Sequence, residues 1–218
     1  MTTKTSTSAV RKVQKPRRRP LHAIYVHGLA SGASSQTFLN IQKRFPQFAW
    51  GVADFGEDIE KNVKILNRFI ARLQPSLIIG SSMGGLTVLY ADAPDAVKIV
   101  CNPALSIADC VRNTIGLGVH KYFCRRINGA REFELTEQMC CDYEEYIASH
   151  TPSLGKANYA IFAAHDELLG DDAAAQARQT LAACNYTIIE DPNGAHRTTP
   201  STLDLIEQCI AENHLTKR

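Results

Sequence analysis

The sequence predicts an α/β domain: a mainly parallel, six-stranded sheet wound with helices on both faces. Three observations point there. Short apolar runs such as Leu77-Ile78-Ile79 and Val97–Cys101 lack the in-out alternation of a strand with one wet face, so they belong in a sheet covered on both sides. Stretches with helical spacing separate these runs. The residues with chemical potential fall just past the ends of the runs, where parallel sheets gather their reactive groups.

In chain order, Leu21–Val26 is the first strand and stops at His27-Gly28. Ser31 to Ser35 is a small, polar loop; Phe38, Leu39, Ile41 and Phe45 then recur at near-helical spacing up to Pro46. Phe48–Ala53 is the second strand. From Asp58 to Leu73 the residues Ile59, Val63, Leu66, Phe69, Ile70 and Leu73 form one apolar stripe, and Pro75 stops the helix. Leu77–Gly80 is the third strand, followed by a helix to about Tyr90, and Val97–Cys101 is the fourth. Residues 103–156 break the alternation. They carry helical pieces near Leu105–Thr114 and Leu135–Ser149 and no convincing strand, so a helical cap insertion is expected. The pattern resumes with a strand at Tyr159–Ala164, a helix over Asp172–Ala183, a strand at Tyr186–Glu190 and a final helix, Ser201–Glu212.

The turn after the third strand reads Gly80-Ser81-Ser82-Met83-Gly84, a G-x-S-x-G pattern between a buried strand and a helix. A nucleophile on so sharp a turn needs small neighbours two residues either way, because larger side chains would collide across the bend. Ser81 lacks that pair of glycines; Ser82 has it. A serine hydroxyl needs a base to attack at neutral pH, and the base needs an acid to set its tautomer. The chain offers Ser82, Asp166 and His196 in that order, each just past a predicted strand. Ser…Asp…His is the order of α/β-hydrolases and not of chymotrypsin or subtilisin.

The neighbours of these residues have simpler readings. Glu167, Asp171 and Asp172 suit a helix start or the surface, and Asp191 is too close in sequence to His196 to orient it. His165 reads as a strand-end residue, His22 as a core or edge histidine, and His120, His150 and His214 as surface. His27 is expected to brace its own loop. The glycine beside it lets the backbone come close to a reacting carbonyl, so the N–H groups of Leu29 and Met83 are the expected oxyanion donors.

The charge is uneven. Residues 1–20 hold seven basic residues and no acid, whereas the remainder carries 17 basic against 22 acidic residues. The arm reads as a disordered, solvated tail, or in a sharper reading as a loose, non-specific contact for anionic surfaces; no specific nucleic-acid partner is expected, because no aromatics interleave its charges. Residues 21–218 form one domain. No apolar run reaches the ~20 residues of a membrane span and no secretory signal is evident. Seven cysteines without a repeating frame suit free thiols and a cytoplasmic setting, and neither metal-ligand spacing nor a cofactor motif occurs.

With these residues in place the chain resembles an α/β-hydrolase, more narrowly the small YqiA-type esterases. The matching pieces are I-Y-V-H-G-L-A-S at 24–31, I-I-G-S-S-M-G-G at 78–85, N-P-A at 102–104, A-H-D-E-L-L at 164–169 and N-G-A-H at 193–196. The resemblance implies a strand order of 2-1-3-4-5-6 and cofactor-free hydrolysis of small carboxylic esters or thioesters, with Ser82 as nucleophile, Asp166 as acid and His196 as base. Two rivals stay open: another reaction run by the same three residues, such as C–C hydrolysis or a lyase step, and a non-catalytic binding module. Arg125-Arg126 in the insertion could meet an anionic substrate, or else be solvated or bonded to Glu144 and Glu145.

Overall fold

The computed structural model describes residues 21–216. The basic arm lies outside the described residues. Six strands, β1 (Leu21–Val26), β2 (Phe48–Val52), β3 (Leu77–Ser81), β4 (Val97–Cys101), β7 (Ala157–His165) and β8 (Thr187–Ala195), form one sheet in the order β2-β1-β3-β4-β7-β8, and every pairing is parallel. Counted without the two strands of the insertion, that is the order the resemblance implied.

The helices divide between the two faces as side-chain alternation along the strands dictates. Ile24, Val26, Ile78, Val100 and Phe162 pack on one side with α2 (Ile59–Leu73), α3 (Met83–Tyr90) and α6 (Asp171–Ala183). Tyr25, Ile79, Ile99 and Ile161 pack on the other with α1 (Gln36–Arg44) and α7 (Pro200–Glu212). Every residue of β3 and β4 is buried, which is why both read as unbroken apolar runs. Lys98 is the exception in composition. Its Nζ donates to the carbonyls of Ala91 (2.6 Å) and Ser153 (3.0 Å) and to Ser153 Oγ (2.7 Å), tying the exit of the insertion to the turn before β4; burial pushes its pKa down to about 8.

The insertion departs from its expected all-helical make-up. It holds α4 (Ile107–Cys110) with a wide turn to Ile115, and α5 (Glu137–Ser149), but also an antiparallel hairpin of β5 (Gly118–Lys121) and β6 (Glu132–Leu135). The strands are four residues each and the connection between them is long, so neither offers enough periodicity to stand out. Thr136 accepts the Met139 N–H at 3.3 Å and so starts α5 after the strand, not at Leu135.

β8 also differs. It runs on through Asp191-Pro192-Asn193-Gly194, expected as loop, and pairs again at His165↔Ala195 after an irregularity in register. β8 is an edge strand, where a proline's missing N–H costs no ladder bond. The extension delivers His196 directly off the strand end. No helix among the described residues is long and apolar enough to cross a membrane.

Candidate active site

Ser82 sits at φ 56°, ψ −122° between β3 and α3, a backbone conformation that non-glycine residues seldom adopt. The two flanking glycines are what permit it. A Cβ on Gly80 would lie 2.5 Å from the Gly84 carbonyl oxygen, and one on Gly84 would lie 2.1 Å from that of Val26. The turn is pinned by Ser82 N–H donating to Cys101 O at 2.9 Å, and by Leu86 and Ala104 N–H groups donating to Ser82 O at 3.0 and 3.2 Å. Ser81, without such flanking glycines, is buried at the end of β3.

The structure brings the three predicted residues together. Ser82 Oγ lies 3.0 Å from His196 Nε2, and His196 Nδ1 lies 2.9 Å from both Asp166 oxygens. The histidine and aspartate side chains are only 10% and 6% exposed, so the pair is shielded from competing water. Burial alone would raise the Asp166 pKa. The His196 ring and the N–H groups of Leu168 and Leu169, each 2.9 Å from Oδ1, outweigh it and hold the carboxyl below its usual range. Asp166 is therefore ionised and aimed at the nitrogen that must carry a proton if Nε2 is to accept one.

Two positioning contacts were not legible in the sequence. Asn102, buried at φ 45° just past β4, donates from Nδ2 to the carbonyls of Ala195 (3.1 Å) and His196 (3.2 Å), while its Oδ1 accepts the Ala163 N–H at 2.8 Å. It clamps the histidine loop to β7. Its only signal was the N-P-A at 102–104. Glu167, expected as a surface or capping charge, is exposed and also accepts the His196 N–H at 3.1 Å. Asp191 is fully buried and accepts from Ser201 Oγ (2.6 Å) and Thr202 Oγ1 (2.7 Å), joining the same loop to α7 without touching the imidazole. Asp171 and Asp172 lie in the first turn of α6, as expected.

Facing Ser82 is the loop after β1. A Cβ on Gly28 would fall 3.1 Å from Ser82 Cβ, so a larger residue here would crowd the serine and force a shift of a few tenths of an ångström. Leu29 lines the cleft beside Ser82, and Met83 opens α3, where helix-initial N–H groups lack intrahelical partners. His27 is buried; its Nε2 accepts the Phe55 N–H at 2.9 Å, which leaves Nδ1–H to donate to Gly28 O at 2.9 Å.

Arg126 corrects the sequence reading of the insertion's arginines. It is buried and contacts neither Glu144 nor Glu145; Arg112 takes Glu144 and Glu137 instead. Arg126 donates to Ser31 O (2.6 Å) and Phe55 O (2.7 Å), and its guanidinium lies 4.3 Å over the Tyr122 ring. A side chain of the insertion thus braces the loop that carries Leu29.

Burial lowers the His27 pKa to about 4, from an unfolded value near 6.5. Because the folded state holds the ring neutral, the unfolded state binds the extra proton between those values, and stability falls as pH drops through that window. The expected loss by pH 4 is about 3 kcal/mol. Urea titrations should show His27→Gln less stable than the parent at pH 7 yet flatter between pH 6.5 and 4; an equally steep variant would place the acid sensitivity elsewhere.

A cleft of about 800 Å³ opens over Ser82 and His196. Ile107, Ile115, Phe133, Leu168 and Leu169 give it an apolar wall, and Gln36, Thr37 and Asn40 a polar one.

The same architecture recurs in solved structures of low sequence identity. Est1E from Butyrivibrio proteoclasticus superposes with a TM-score of 0.61 at 14% identity, covering 92% of this chain and 89% of that one. Mouse alpha/beta hydrolase domain-containing protein 10 gives 0.61 at 14% identity, covering 94% and 92%. The monoacylglycerol lipase of Paleococcus ferrophilus gives 0.56 at 16% identity, covering 87% and 92%. No curated protein sequence matches the chain. The fold is that of the α/β-hydrolases, and, with residues 22–208 matching it, the chain belongs to the uncharacterised protein family UPF0227.

Proposed function

We propose that this protein is a serine hydrolase that cleaves carboxylic ester or thioester bonds through an acyl-serine intermediate. One observation carries the reading: a serine at φ 56° whose Oγ lies 3.0 Å from His196 Nε2, with the other ring nitrogen 2.9 Å from an ionised carboxylate. Ser82 Oγ attacks the acyl carbon as its proton passes to Nε2, and Asp166 stabilises the resulting imidazolium. The oxyanion forms against the N–H groups of Leu29 and Met83. The imidazolium returns the proton to the departing alcohol or thiol, and a water deprotonated by the same nitrogen then releases the acid. Asn102 and Glu167 hold the base in line. The apolar wall of the cleft suits an acyl chain. The fold is shared with a protein described as a monoacylglycerol lipase.

A fluorophosphonate probe should label Ser82 alone, and a panel of nitrophenyl esters and acyl thioesters should be turned over by the same preparation. An unlabelled Ser82 would point to a binding module. Labelling without turnover of any ester or thioester would assign the three residues to other chemistry.

A further inference from the structure

Eight large apolar side chains are conspicuously exposed among the described residues. Leu117, Val119, Phe123 and Ile127 are four of them, at 50, 67, 75 and 74%, within one stretch of the insertion. A fifth, Leu168, lines the cleft over Ser82, as does Phe123. Scattered exposed apolar residues are ordinary, but a cluster at the mouth of a cleft marks a contact surface.

The backbone beneath Phe123 and Ile127 is firmly held. Phe123 N–H donates to Ala30 O at 2.8 Å, Arg125 O accepts from Ser34 Oγ at 2.8 Å, Ile127 N–H donates to Asp54, and buried Arg126 sits between. The two side chains are thus presented outward from a braced base, and little ordering would be needed for them to insert into a partner.

The surrounding charge identifies that partner. Segment 122–131 contains Arg125 and Arg131, both exposed, and no carboxylate. Arg197 lies 5.6 Å over the Phe123 ring. On the outer face of the hairpin Lys121 stands opposite Glu132 and Val119 opposite Glu134, so that face adds a net charge of −1, and Glu167 at the mouth, which accepts the His196 N–H, adds another; the three arginines around Phe123 and Ile127 outnumber these two. A second copy of the chain would bring like arginines face to face. An aromatic and an isoleucine flanked by arginines instead fit a layer with an apolar interior and anionic headgroups.

We infer that the segment around Phe123, Arg125 and Ile127 docks the mouth of the cleft onto anionic lipid surfaces, from which an acyl substrate can enter. The role in substrate entry rests on the hydrolase reading above; the docking itself does not, and it is measured without substrate.

The test uses the full chain and sedimentation with phosphatidylcholine vesicles, with and without phosphatidylglycerol. Phosphatidylglycerol should promote binding, and both Phe123→Ser/Ile127→Ser and Arg125→Glu/Arg131→Glu should weaken it about tenfold or more at unchanged melting temperature. Arg125→Glu alone, on an exposed side chain, serves if the double variants melt early, and should still weaken binding severalfold. A third variant with the seven basic residues of the arm changed to glutamine separates the arm's attraction from that of the mouth. Loss of binding only in that arm variant overturns the inference, as do indifference to phosphatidylglycerol and no binding at all. So does a concentration-dependent dimer that the mouth variants abolish without any vesicle binding. Fluorophosphonate labelling of the same samples reports on Ser82 separately.

Discussion

Ser82→Ala should lower kcat for a short-chain nitrophenyl ester by about 10⁶-fold, with a melting temperature close to that of the parent. The size of the effect follows from the loss of the covalent route: without Oγ there is no acyl-serine, and what remains is whatever the N–H groups of Leu29 and Met83 contribute to direct attack by water. The change is mild for the fold. Alanine tolerates φ 56° about as well as serine, and the hydrogen bonds that pin this turn are all made by backbone atoms of Ser82. Steady-state kinetics of the purified variant, with fluorophosphonate labelling as a companion, give the result. Turnover within tenfold of the parent would move the nucleophile elsewhere.

Asp166→Asn should cost about 10⁴-fold in kcat while preserving the shape of the site. Oδ1 of Asp166 accepts two N–H groups, from Leu168 and Leu169, so in the variant the amide oxygen takes that position. The amide NH₂ then lies on the side facing His196 Nδ1. A donor there obliges Nδ1 to accept, which puts the imidazole proton on Nε2, pointing at Ser82 Oγ. The base is lost through its tautomer and not through displacement. A loss of only a few fold, measured across pH, would mean that another acid orients the ring. Asp191 could not replace it without abandoning Ser201 and Thr202.

The elements that could be read in advance share a property. β3 and β4 are buried along their whole length, so apart from Lys98 their residues are apolar or small. α2 shows a clear stripe because one of its faces packs on the sheet and the other meets water. The serine turn could be read because its geometry excludes side chains at Gly80 and Gly84. Where backbone strain and burial act through nearest neighbours, residue type records them.

What escaped was set by distant partners. Arg125 and Arg126 are indistinguishable as a dipeptide, yet one is exposed and the other is buried with its guanidinium bonded to Ser31 and Phe55. Glu167 resembled any acid before a helix, and its bond to the His196 N–H exists only because β7 and β8 lie side by side. The short hairpin strands β5 and β6 have weak patterns of their own and are stabilised by pairing with each other.

By itself the sequence determined the α/β alternation, the serine turn and the order of the three reactive residues, because each is written in hydrophobic period or in side-chain size along neighbouring positions. Only the tertiary structure decided that Ser82, Asp166 and His196 meet at 3.0 and 2.9 Å, that Asn102 and Glu167 hold the backbone of His196, and that Arg126 supports the loop opposite. Those contacts span tens of residues or more, and they form when the strand ends are brought to one edge by parallel pairing.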